Sequence, residues 1–167
     1  MIRHHFLMMA RYNTWANARL YNAAETMGDD YDRDAGAFFD SMHGTLSHIL
    51  VADRIWLHRL TGEGPTYDRL DARPYGDLAT LRAEREAEDE RILGYVGSLD
   101  DEALSGTFAY TPISIGQRME SRRAPVLAHL FNHQTHHRGQ AHTILTSLGH
   151  EAPPLDIIHF QREAAGR

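Results

Sequence analysis

The chain contains no cysteine. That one absence removes disulfides, thiolate metal ligands and a protein thiol nucleophile together, so any metal must be held by His, Asp, Glu or water. No apolar run approaches the ~20 residues that a membrane span requires. Met1-Ile2-Arg3-His4-His5-Phe6 passes straight into a helical pattern, without the apolar run and small-residue cleavage site of a signal peptide, and a cytoplasmic protein is expected. A basic face is missing too. At a formal charge of -6 no segment supplies the positive surface that phosphates need, so neither nucleic acid nor a membrane is an expected partner and a small molecule is the default.

What is present fits an ordinary globular protein. Apolar residues at 42% and charged residues at 24% sit near the averages, and 167 residues suffice for one domain, residues 1–167, with a real core. Breakers and periodicity divide the chain into four long helices at about 5–27, 36–60, 78–96 and 124–148. Asp77 is a plausible N-cap for the third, Pro125 is tolerated in the first turn of the fourth, and Gly149 stops it. Residues 106–119 hold β-formers with Pro112 and Gly116, a pattern for a small hairpin or an irregular crossover, and a long connection there could set the fourth helix parallel to the third. The charge run from Glu84 to Arg91 reads as a solvated outer face. Trp15 and Trp56 read as core. The fold class expected is all-α, a four-helix bundle.

Twelve histidines among 167 residues are unusually many, and four of them crowd into residues 129–137. Residues four apart on a helix share a face, so His129/His133 and His133/His137 both have metal-ligand spacing. On the helical wheel the core of the fourth helix centres about 80° from His133, with His137 about 40° toward it and His129 and His136 turned away toward solvent. The His133/His137 pair is therefore the better candidate. Burying two chargeable imidazoles on one face is costly unless something compensates, and a metal does so. A third ligand has to come from another helix. His48 stands inside the wide apolar arc of the second helix; on spacing alone it is equally well read as a core histidine bonded to a carbonyl. His43 and His58 fall on that helix's narrow polar strip with Ser47 and Arg54, and a surface role is expected for them.

Tyr12-Asn13-Thr14-Trp15-Ala16-Asn17, then His48-Ile49-Leu50-Val51-Ala52-Asp53-Arg54-Ile55-Trp56, then Asn132-His133-Gln134-Thr135-His136-His137-Arg138-Gly139-Gln140 resemble, in this order, the DinB (damage-inducible) family. The match runs over nearly the whole chain, through Gly149 and the following Pro153-Pro154-Leu155-Asp156. The resemblance implies an up-down-down-up bundle with a long second-to-third connection, often a homodimer. It also implies a divalent metal, nickel or zinc most often, on three histidines that fall here on His48, His133 and His137. It does not imply one reaction, since the family is similar to bacterial thiol transferases and maleylpyruvate isomerase-like enzymes alike.

Three imidazoles leave a divalent ion an open position, the arrangement of a catalytic rather than a closed structural site. All-nitrogen ligation suits zinc, nickel or copper. Such an ion lowers the pKa of a bound thiol or water, so thiol S-transfer to an electrophile and hydrolysis are both available. Asp53 and His136 are the nearby acid–base candidates, although Asp53 is better read as a buried acid paired with an arginine such as Arg138. Arg138 projects into the apolar arc of its helix and needs a partner there, in a second shell or at an interface. Gln140, about 20° from His133, could hold a ligand imidazole by its other nitrogen. A non-catalytic metal-binding stress or sensor protein is the alternative, and a bundle with vestigial histidines a third.

Overall fold

The computed structural model describes residues 2–112 and 115–166; residues 113 and 114 of the expected hairpin segment lie outside them. Four long helices dominate: α1 (Ile2–Ala24), α2 (Met42–Thr61), α3 (Leu78–Ser98) and α5 (Arg123–Ser147), with short helices α4 (Asp101–Ser105) and α6 (Ile157–Ala164). Strands β1 (Thr107–Tyr110) and β2 (Met119–Arg122) pair antiparallel before α5, with Thr107 opposite Arg122 and Tyr110 opposite Met119. No helix among the described residues is long and apolar enough to cross a membrane.

Local chemistry sets the ends. Ser41 caps α2, its hydroxyl accepting from the Gly44 N–H at 3.1 Å, so α2 begins five residues or so later than the periodicity predicts. Before it, a tight turn bridges Ala37 to Asp40, with Asp40 at φ 66°, and this takes Phe39 off the helical wheel. Gly62, at φ 77°, closes α2 in the left-handed conformation that glycine adopts without a Cβ penalty. Asp77 caps α3 as expected, accepting from the Thr80 N–H at 2.8 Å.

Side-chain pairs fix the helix directions. Glu25 meets Arg82 and Arg3 reaches the Gly97 and Leu99 carbonyls, so α1 and α3 are antiparallel. Asp53 meets Arg85, and His43 near the start of α2 meets Tyr75 just before α3, so α2 and α3 are parallel. Phe6 against Phe131 and Asn13 against Arg138 set α5 parallel to α1. The bundle is all-α and up-down-down-up, α1 and α2 each packing on α3 and α5. The parallel pair is α2 and α3, not α3 and α5 as the length of the 106–119 segment had suggested. A 62–77 loop long enough to climb back along α2 makes that possible.

This loop explains a second difference. The polar strip of α2 is not solvated, because the loop lies over it and uses its side chains to satisfy loop carbonyls that would otherwise be stranded. His43 Nε2, His48 Nδ1 and His58 Nδ1 bond to the carbonyls of Tyr75 (2.8 Å), Leu70 (2.8 Å) and Gly64 (3.0 Å). Tyr67 and Tyr75 take Arg54 through their hydroxyls. His43, predicted to be superficial, is buried.

The charge run of α3 is an outer face only in part: Glu86 and Glu90 are exposed, but three of its charges turn inward. Arg85, Glu88 and Asp89 are 1–3% exposed, continuing the stripe of Leu81, Ile92 and Val96 at helical spacing. Arg85 meets Asp53 at 2.5 Å and Asp89 at 2.8 Å. Asn13 and Asn17 donate to Asp89 and accept from Arg138, and Gln134 donates to Asp53 at 2.8 Å. This polar layer crosses the bundle at mid-height. Below and above it lie two apolar clusters, one around Leu20, Leu46, Leu50, Leu81 and Leu145, the other around Phe6, Leu57, Ile92, Leu127 and Phe131. Trp15 and Trp56, expected in the core, are only half-buried at its edge. The tail does pack back, with Phe160 against Tyr12 and Trp15.

Candidate metal centre

At the height of the polar layer, α2 and α5 face each other antiparallel and bring three imidazoles together. His133 and His137 are successive turns of α5, and His48 projects from α2 between them. His48 Nε2 lies 3.2 Å from His133 Nε2 and 3.1 Å from His137 Nε2. One ligand atom from each residue falls within 4.8 Å of the other two.

The remaining ring nitrogens decide what those three atoms are. A carbonyl only accepts, so His48 Nδ1, 2.8 Å from the Leu70 carbonyl, carries the proton. His137 Nδ1 donates in the same way to Gln140 Oε1 at 2.7 Å. Both imidazoles are held neutral. Burial pushes His48 down to about 4 and His133 down to about 3, with the neighbouring His137 adding to both, and burial also lowers His137. His48 Nε2 and His137 Nε2 therefore each present a lone pair, and two lone pairs aimed at one another at 3.1 Å repel. A cation among the three nitrogens reverses the sign of that interaction. The spacing fits: ligands on bonds of ~2.0–2.1 Å lie about 3.3 Å apart on a tetrahedron and about 3.0 Å apart on an octahedral face. The buried three-histidine group could thus bind a metal ion.

The surroundings make the site one-sided. Phe39 stacks on the His48 ring, centroids 3.8 Å apart, and sets its edge against His137 at 5.6 Å. With the Leu70 carbonyl this closes one flank. On the other, His133 is only half-buried, and the exposed rings of His129 and His136 lie 5.8 Å from His133 and 4.7 Å from His137. Gln140 reaches His136 as well, its Nε2 standing 3.4 Å from His136 Nε2. Asn132 is exposed and holds neither ligand.

Two sequence-based candidates are placed elsewhere. Asp53 is buried with Oδ2 committed to Arg85 and Gln134, so its partner is Arg85 and not Arg138. Arg138 is buried against Asn13, Asn17 and the Tyr12 ring. Neither touches the three histidines. Phe39 and Leu70 went unrecognised because both contact His48 from loops, where no helical wheel reaches.

The DinB family's sequence model matches residues 1–166. The chain belongs to the DinB family. Among curated proteins it is similar to Protein DinB of Bacillus subtilis (strain 168), 25% identical over 152 residues that span 87% of each chain. DinB membership and the buried histidine group agree with one another: the motifs that carried the resemblance include the three residues that the fold gathers.

Proposed function

We propose that this DinB protein is a metal-dependent enzyme in which His48, His133 and His137 hold nickel or zinc and present a low-molecular-weight thiol, or water, to an electrophile. The observation that supports this most is the pair of Nδ1 anchors, which aim the lone pairs of His48 and His137 at one point. An ion held there would supply charge to stabilise the deprotonated nucleophile near neutral pH. The chain's own residues do the rest. The Leu70 carbonyl and Gln140 keep two rings in the donating tautomer and orientation. Phe39 excludes water from the closed flank. His129 and His136, on the open flank, are placed to pass protons to and from solvent, whereas Asp53, locked to Arg85, is not. With no cysteine in the chain, the thiol has to be a co-substrate.

Among the described residues the ligand group has three members and no fourth, which favours an open, catalytic site over a closed one. The test begins with metal analysis of purified protein. About one equivalent of a transition metal is expected, falling to background in His48→Ala and His137→Ala. Metal-loaded protein is then assayed against a panel of cellular thiols with electrophiles and of activated esters, and turnover must disappear in His137→Ala. Absence of stoichiometric metal in the native protein overturns the reading. Metal uptake without turnover across the panel would leave the binding protein and reject the enzyme.

A further inference from the structure

Because α2 and α5 are antiparallel, the seam between them leaves the three histidines in one direction on both sides. It passes from His48 toward Trp56 and Arg59 on α2, and from His133 through His129 to Pro125 on α5 and Arg122 at the end of β2. His129 links the two stretches, its ring 5.8 Å from His133 and 5.1 Å from Trp56. Tyr110 of β1 packs on Trp56 at 5.4 Å and divides two clefts. One, of about 440 Å³, is lined by Trp56, Tyr110, Arg122, Val126 and His129. The other, of about 360 Å³, is lined by Ile55, His58, Arg59, Thr66 and Tyr110.

Arg59 is unlike the paired arginines of α2 and α3. Arg85 has Asp53 and Asp89, and Arg54 has Glu84, Glu88 and two tyrosine hydroxyls. Arg59, half-buried, has no hydrogen-bond acceptor and no carboxylate within ion-pair distance among the described residues. It lies over two aromatic rings, 4.6 Å from the Trp56 centroid and 5.2 Å from that of Tyr110. Aromatic rings attract a guanidinium without accepting its N–H hydrogens in strong hydrogen bonds, so its donors remain for another partner. Burial destabilises the charge here and lowers the Arg59 pKa from its ordinary value. A half-desolvated cation clamped on two rings, beside a cleft and without an anion, matches the requirement of a bidentate oxyanion.

We propose that Arg59, held against the rings of Trp56 and Tyr110, is an anion subsite that takes the distal carboxylate or phosphate of an elongated substrate whose reacting end lies at the three histidines. His48 and Arg59 are eleven residues apart, an axial rise of ~16 Å, from which the arginine side chain reaches back. The substrate class is therefore an extended acid, of roughly tripeptide length, rather than a small neutral thiol. The position of the reacting end rests on the proposed function; the subsite does not, and it is testable without metal.

Trp15→Phe protein, freed of metal by chelation, is titrated with benzoate, phenyl phosphate and benzyl alcohol while Trp56 fluorescence is followed. Saturable quenching by at least one anion and none by the alcohol is expected, and the stronger of the two anions identifies carboxylate or phosphate as the source. Arg59→Gln should weaken that binding at least tenfold, Arg59→Lys less, and Tyr110→Leu measurably. Equal affinity in Arg59→Gln, or no saturable anion binding, overturns the subsite. With metal-loaded protein, ω-mercaptoalkanoates of increasing length should pass through an affinity optimum that the matching mercapto-alcohols lack and that Arg59→Gln removes. Affinity independent of length would reject the connection to the histidines. Failure of metal uptake, by contrast, would overturn the metal site while leaving the metal-free anion titration as it stands.

Discussion

A histidine can be a ligand only when one ring nitrogen is left free to offer its lone pair, and this separates His43 from His48 where spacing does not. His43 has both nitrogens engaged, Nδ1 with Asp32 at 2.7 Å and Nε2 with the Tyr75 carbonyl at 2.8 Å, and has none to offer. His48 and His137 have one engaged and one directed at the centre. The wheel could find Gln140, because residue and ligand share a helix. It could not find Leu70 or Tyr75, whose carbonyls reach α2 from a loop, and so His43 and His48 read alike as polar residues of uncertain company. The anchor has a measurable weight. Gln140→Leu should leave the fold intact and weaken metal binding about 10–100-fold, the usual effect of deleting an outer hydrogen bond to a ligating imidazole. Competition with a chromophoric chelator measures this; unchanged affinity would show that Gln140 does not hold the ring.

At the scale of the element, α3 shows why a charge run misleads. Leu81, Arg85, Asp89, Ile92 and Val96 follow one another at three- and four-residue steps, with Glu88 beside Asp89, so the apolar stripe continues through the charges. The same holds in α1, where Asn13 and Asn17 interrupt Phe6, Ala10, Leu20 and Ala24 at helical spacing. The signal was periodicity, and composition hid it. Arg85 with Asp53 and Asp89, and Arg138 with the Asn13 and Asn17 that also bond Asp89, come from four helices and meet only in the observed register. Slipping α2 past α3 by a turn would set Leu57 or Ile49 in place of Asp53 against Arg85. Arg85→Met, which leaves Asp53 and Asp89 without their shared cation, should therefore cost about 3–5 kcal/mol, as removing one partner of a buried ion pair does. Urea unfolding measures it. Replacing Asp53 and Asp89 by Asn in the same background should recover part of the loss, which a simple packing defect at position 85 would not allow.

For the whole molecule, the three gathered histidines and the polar layer lie at one height between two apolar clusters, and that level carries His48, His133 and Asp53, whose protonation the fold shifts. The four long helices, the cap at Asp77 and the three gathered histidines were legible from periodicity and motif order; the short helices and the split core were not, the core because it exists only when four helices are seen together. In metal-free protein the sign of the response follows from the shifts. His48 and His133 fall from an ordinary 6.5 to about 4 and about 3, so the folded state binds their protons more weakly than the unfolded chain. Their favourable contribution is complete above pH ~6.5 and is lost as the pH falls through that window toward 4. Asp53 works the other way. Burial raises it from 3.8 to about 6, so the fold holds its proton more tightly and acid relieves the cost of its buried charge. The net slope mixes both, and the informative quantity is a difference. With chelator present, the stability of native protein relative to His133→Gln should decline steadily from pH 7 to pH 4, because glutamine does not titrate while Asp53 contributes equally to both. Parallel urea midpoints across that range would mean that His133 is not held neutral in the fold. Added metal should steepen the decline in native protein, since each ligand must lose its proton before the ion can bind.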